Sequence, residues 1–259
     1  IGEEGNNLKL GWDISTKTWP ILFQNQSWFK TLPKIIPSGQ IIGKINNKLS
    51  KKLDLEKDLL IVAGTTDSNA SVIAAQVSFE DGVTVLGSTI VLKKFTNWPI
   101  YEEGITNHLV NEKWLCGGSS NTGGRILKRF FSDDYIKELS NQINPNIDSG
   151  IKLLPLPCKG ERFPTNNPNL QPILEPRPIS DSLYLHALFE GLAEIEKKGW
   201  KKLINLGMIA PKKIITIGKG ANNFKWQKIR QRIIGIPIRK CKKPPAIGAA
   251  IIALKGISF

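Results

Sequence analysis

Ile61-Val-Ala-Gly-Thr-Thr-Asp-Ser-Asn-Ala-Ser71 puts an acidic residue where a short apolar run gives way to a helical pattern. Leu59 to Ala63 has strand length, Gly64 interrupts it, and Thr65, Thr66, Asp67 and Ser68 are residue types that cap helix starts. Beyond them Ala70, Ile73, Ala74 and Val77 recur at spacings of three and four. One face of this helix therefore turns inward and its N-terminus points out of the core. A carboxylate at that end is favoured by the helix dipole and by unpaired backbone N–H groups. As a weak base it suits chemistry in which a hydroxyl is aligned and its proton accepted late, as in phosphoryl transfer through a loose transition state. Asp67 is the candidate catalytic residue, and the alternative for the same side chain is a plain N-cap.

Working outward, junctions of strand, glycine turn and helix recur. Val83–Leu86 and Ile90–Leu92 read as strands joined by Gly87-Ser88-Thr89, a tip whose N–H and hydroxyl groups can cradle phosphate oxygens. His108–Leu115 reads as a strand, followed by the glycine loop Gly117–Gly124 and a helix from Arg125 to Phe131, an arrangement that faces an anion. That loop lacks the GxxxxGK[ST] spacing, which excludes the P-loop family. Ile214–Ile217 is a buried strand, Gly218-Lys-Gly-Ala-Asn-Asn223 a third glycine loop, and Phe224–Ile234 a helix.

The remaining segments fill in an α/β chain. Ile41–Ile45 reads as a strand and Leu49–Asp58 as a charged connection. Tyr135–Ile143 is a surface helix with Tyr135, Ile136, Leu139 and Ile143 inward. From Leu153 to Pro178 the prolines force an extended excursion, ordered because Leu154, Leu156, Phe163 and Ile173 give it something to bury. Tyr184–Leu206 is the longest helical pattern, and the last helix, Ala246–Leu254, carries Gly248, Ala249 and Ala250 for close packing.

With 259 residues, 41% of them hydrophobic, the chain builds one large domain or one and a half ordinary ones. No apolar run is long enough to cross a bilayer, and no membrane partner is expected. The start at Ile1, in a polar loop-like stretch, reads as that of a fragment. The excess of 36 Lys and Arg over 22 Asp and Glu, +14 in all, would attract polyanions. Yet the basic residues are spread out, only Arg239-Lys-Cys-Lys-Lys243 clusters, and no zinc-finger or RNA-binding signature accompanies them, so no nucleic-acid partner is expected. Three scattered cysteines fit a reducing cytoplasm without a metal cluster, and two histidines argue against a His-based triad or multi-His metal site. Lys9, beside the aromatic segment at Trp12, is a candidate sugar or phosphate contact.

The order of these stretches resembles the FGGY carbohydrate kinases of the actin/hexokinase/Hsp70-like ATPase superfamily. Ala63-Gly-Thr-Thr-Asp-Ser-Asn-Ala-Ser71 is similar to that family's catalytic-aspartate motif and Leu86-Gly-Ser-Thr89 to its phosphate-binding turn. Gly160-Glu-Arg-Phe-Pro164 is similar to its GERxP segment, Ala187-Leu-Phe-Glu-Gly-Leu-Ala193 to its EGxA helix, and Gly218-Lys-Gly-Ala-Asn222 to its GGGAxN adenosine loop. Pro245-Ala-Ile-Gly-Ala-Ala-Ile251 resembles its closing helix. The resemblance implies an α/β fold with an actin-like ATPase (ribonuclease H-like) domain over residues 81–259, preceded in 1–80 by the tail of another actin-like domain. It implies ATP and Mg²⁺ as cofactors and phosphorylation of a sugar hydroxyl in a cleft between such domains.

Residue by residue, Asp67 would align and deprotonate the hydroxyl, with Lys9 a further substrate contact. Gly87, Ser88 and Thr89 would meet ATP phosphates, Gly123 and Gly124 would line the nucleotide site, and Gly218, Gly220, Ala221 and Asn222 would hold adenosine. Two features depart from the family: Lys219 stands for the middle glycine of the adenosine loop, and the family's DxGT phosphate loop has no counterpart after Ile1. Asn6–Asp13 and the Thr-Thr-Asp-Ser form resemble ketopentose kinases acting on D-ribulose, with a xylulokinase or a non-enzymatic nucleotide-binding protein as alternatives. A cytoplasmic enzyme is implied, with a homodimer among the candidate assemblies, and a fragment of it would expose apolar faces around residues 1–80.

Overall fold

The computed structural model describes residues 1–110 and 112–257. In chain order its elements are β1 (Gly2–Glu3), α1 (Ile21–Gln24), β2 (Ile35–Ile36), β3 (Ile41–Lys44), α2 (Asn47–Leu53), β4 (Leu60–Val62) and α3 (Asp67–Ala75). Then come β5 (Gly82–Leu86), β6 (Ile90–Thr96), β7 (Ile105–Val110), β8 (Lys113–Ser119), α4 (Gly124–Leu127) and α5 (Asp133–Gln142). The chain ends with α6 (Asp181–Asn205), β9 (Ile214–Ile217), α7 (Phe224–Ile234), β10 (Ile238–Lys240) and α8 (Pro245–Ile257). These residues gather into two compact units. The first holds Ile1–Gln76, the β7–β8 turn from His108 to Lys113, and the C-terminal segment from Lys243; the second holds Val77–Asn107 and Trp114–Lys242.

In the first unit β1 pairs with β2 in parallel and β3 with β4 antiparallel, with an irregular register between Ile41 and Gly43. Its centre is the pairing of α3 with α8. Ala70, Val72, Ile73 and Ala74 are buried on α3, and the expected small residue Gly248 lets the two backbones meet. Val77 lies past the helix end, because Gln76 turns left-handed at φ 48° and stops it. The stretch expected as a charged connection from Leu49 is in its first part helical, the end of α2, which is capped by Asn46, whose side chain accepts from Lys48 N–H at 2.8 Å. Ile41 and Ile42 of β3, Ile61 of β4 and Leu59 just before β4 are each exposed.

The second unit is built on a six-stranded sheet in the order β10-β9-β5-β6-β8-β7. β5 runs parallel to β9, with Thr84 opposite Thr216, and antiparallel to β6; β10 runs parallel to β9. α6 packs on α7 and α5, and Phe189 stacks on Trp226 with ring centroids 4.9 Å apart. Four expectations are corrected here. The run His108–Leu115 is a hairpin rather than one strand, turning where Glu112 adopts φ 61°. The helix expected from Arg125 to Phe131 is the single turn α4. Tyr135 faces outward on α5, 38% exposed, its hydroxyl on Asp181 at 3.2 Å, and Ile173 of the proline-rich excursion is 51% exposed.

Charge also enters this core. Glu196 of α6 and Arg230 of α7 are each 1% exposed and form a two-bond ion pair, Arg230 Nε to Glu196 Oε2 at 2.6 Å and Nη2 to Oε1 at 2.8 Å. On the same helix Glu190 accepts from the Ser149 N–H at 3.1 Å, from the Ser149 hydroxyl and from Arg232, with His186 Nε2 3.3 Å away.

Candidate active site

In the first unit Thr66, not Asp67, is the cap of α3: its Oγ1 accepts from Asn69 N–H at 3.3 Å from an extended backbone. Asp67 is the first helical residue and exposed, so the N-cap position belongs to Thr66. One carboxylate oxygen accepts from Ser68 N–H at 2.6 Å; the other has no hydrogen bond among the described residues. The turn before it is held from behind by Glu3, a residue the sequence did not single out. Glu3 is 9% exposed and accepts from Ser38 Oγ at 2.7 Å, Asn6 N–H at 2.9 Å and Thr65 Oγ1 at 3.4 Å. Next to it, burial and the Glu3 carboxylate push the Glu4 carboxyl above its ordinary range. Lys9 is exposed on the turn Leu8–Leu10 and makes no hydrogen bond or ion pair with Asp67.

The second unit gathers the three glycine turns at the end of β5. Gly87 N–H donates to Thr89 O at 3.1 Å and closes the tip after Leu86. Gly123 packs on that tip: a Cβ there would stand 2.5 Å from the Thr89 carbonyl carbon and 2.8 Å from Ser88 O. Gly218 has φ 96°, and a Cβ on it would stand 2.7 Å from Leu86 O. The anion-facing helix expected after the second turn is not available as such, because Gly124 N–H donates to Gly87 O at 2.8 Å and Arg125 N–H to Ser88 O at 3.4 Å. What stays open is the tip itself. A Cβ on Gly87 would meet nothing nearer than 4.0 Å, Ser88 is exposed, and the Ser88 and Thr89 hydroxyls make no hydrogen bond among the described residues.

The adenosine-loop candidate, Lys219–Asn222, is a 3₁₀ turn with Ala221 buried and Asn222 exposed. The Lys219 side chain projects away, 80% exposed, and its ammonium lies 3.5 Å from Asp133. Asp133 also accepts from Lys128 at 2.9 Å, which holds its carboxyl below the usual range. A cavity of about 450 Å³ lies at this edge, lined by Lys128, Arg129, Phe130, Phe131, Ser132 and Asp133.

The fold is the actin-like ATPase fold of the FGGY carbohydrate kinases, and the resemblance to that family extends over most of the chain. Among curated proteins, the xylulose kinase of Staphylococcus epidermidis is 24% identical over 243 residues, covering 88% of this chain and 48% of its own. A ligand-bound xylulose kinase structure from Lactobacillus acidophilus matches 99% of this chain and 55% of its own with a TM-score of 0.81 at 17% identity. Plasmodium falciparum glycerol kinase with ADP matches 99% and 54% with a TM-score of 0.81 at 16% identity. No family model matches the sequence. The chain spans about half the length of the relatives it matches.

Proposed function

We propose that these residues carry the catalytic acid and the nucleotide site of a sugar kinase, a phosphotransferase whose acceptor is a ketopentose hydroxyl. The observation that carries the reading is the meeting of the Gly87, Gly123 and Gly218 turns at the end of β5. Within it, the open tip Gly87-Ser88-Thr89 takes ATP phosphates, Gly123 and Gly124 back it, and Gly218, Gly220, Ala221 and Asn222 take the adenosine. Asp67, exposed at the head of α3, aligns the sugar hydroxyl and accepts its proton as the phosphoryl group leaves ATP. Lys9 contributes to sugar binding.

Mg²⁺ in such sites is held by one or two carboxylates together with the nucleotide's phosphates. Bound with ATP, the ion would neutralise charge on the transferred group. Of the two pentuloses, D-xylulose has the better support, since the curated proteins named here and several of the similar structures are xylulose kinases; D-ribulose rests on the Thr65-Thr-Asp-Ser68 and Asn6–Asp13 texts. Three unbridged cysteines agree with a cytoplasmic enzyme, working alone or as a homodimer.

The test is ADP release by the longest natural polypeptide containing these residues, offered D-xylulose, D-ribulose, glycerol and gluconate in turn. The highest kcat/KM is expected on D-xylulose. A preference for glycerol would remove the ketopentose assignment, and ADP release indifferent to every sugar would remove the kinase.

A further inference from the structure

Glu196 and Arg230 lie at the centre of a four-residue polar network inside the apolar second unit. Thr84 Oγ1 donates to Glu196 Oε1 at 2.6 Å, and Arg230 Nη1 donates to Thr216 Oγ1 at 2.9 Å, completing the two bonds of the ion pair itself. Thr84 is 0% and Thr216 1% exposed. Buried ion pairs are weak sources of stability, since apolar side chains of similar volume commonly do as well; what they supply in the best-attested cases is register. Here the register at stake is visible. Thr84 and Thr216 are partners across the parallel strands β5 and β9, and the network reaches one hydroxyl on each.

Two residues beyond Thr84 is Leu86, and two beyond Thr216 is Gly218, whose α-carbon sits against the Leu86 carbonyl. Two strand residues span about 6.6 Å. The network therefore fixes the stagger of β5 against β9 one step before the strands open into Gly87–Thr89 and Gly218–Asn222. Apolar packing resists a one-residue slip, which would turn every side chain to the other face, but a two-residue slip keeps the pattern; a guanidinium fork on a carboxylate with a hydroxyl at each end has one geometry and excludes both.

We infer that Glu196 and Arg230, acting through Thr84 and Thr216, are positioning residues that set the phosphate turn and the adenosine turn relative to each other. The inference rests on the nucleotide reading of those turns. Its test leaves the ion pair intact and cuts only its links to the strands, in the double variant Thr84→Val with Thr216→Val. Calorimetry of MgATP binding to the longest natural polypeptide containing these residues should show a dissociation constant raised roughly tenfold. Amide exchange should quicken at Gly87–Thr89 and Gly218–Asn222 and not in α6 or α7. The pair Thr84→Ser with Thr216→Ser, which restores both hydroxyls, should recover the affinity, as a purely space-filling role would not require. A valine variant that binds MgATP and exchanges at both turns like the parent would overturn the inference. If the parent chain binds no MgATP, the nucleotide reading falls, and the exchange comparison still decides: faster turns support the positioning role and unchanged turns refute it.

Discussion

Gly248 of α8 and Ala70 of α3 touch backbone to backbone: a Cβ at 248 would stand 1.9 Å from the Ala70 carbonyl oxygen. Gly248→Ala must therefore push the two helices apart. Overpacking of this kind costs about 2–3 kcal/mol. Gly43, where a Cβ would meet nothing within 4 Å, is the control, and Gly43→Ala should change stability by less than about 0.5 kcal/mol. Denaturant midpoints of the two variants check this.

Gly123 makes a similar contact inside the proposed nucleotide site. A methyl group there would displace Ser88 and Thr89, so Gly123→Ala should weaken MgATP binding at least about tenfold. Lys219→Gly, by contrast, removes a side chain that points to solvent and should leave the affinity within about twofold. Calorimetric titration of both variants distinguishes a packing glycine from a tolerated departure.

Glu190 is the acid most strongly perturbed by its surroundings. Burial works against its ionisation, but His186, Ser149 and Arg232 outweigh burial and hold the pKa at about 2, against an ordinary 4.5. Because the folded value is the lower one, this group's contribution is fully present above pH 4.5 and is lost as pH falls toward 2. Melting temperatures should fall across that window, and Glu190→Gln should flatten the fall. An equal slope in parent and variant would mean that other carboxylates dominate acid unfolding.

Breaking the buried ion pair from one side differs from replacing it. Arg230→Met leaves Glu196 buried without its partner and should cost about 3–5 kcal/mol. Adding Glu196→Leu to Arg230→Met should return most of that loss. A double-mutant cycle by denaturation measures both.

How far the sequence anticipates this molecule depends on where its punctuation falls. β9 and α7 are legible to the residue, because Gly218 ends the strand, Asn223 caps the helix and Gly235 stops it in a left-handed turn. α2 escapes, since Leu49 and Leu53 are exposed and its remaining residues are polar, leaving no buried stripe to detect. The break between β7 and β8 is marked in the sequence by the polar residues Glu112 and Lys113, a turn signal that the reading of His108–Leu115 as one strand passes over.

In the candidate site, the glycines of the three turns are visible in the text, but not that Gly123 and Gly218 serve contacts between turns while Gly87 faces open space. Glu196 and Arg230 are illegible for a plainer reason. Charges 34 residues apart on two amphipathic helices read as solvated faces until the fold brings them together.

The central claim is that Asp67 is the base of a sugar kinase. It is tested most directly by Asp67→Asn in the longest natural polypeptide containing these residues, measuring D-xylulose-dependent ADP release beside MgATP affinity. Turnover should fall by roughly 10²–10⁴-fold while the dissociation constant for MgATP stays within about twofold. Parental turnover in that variant would contradict the claim.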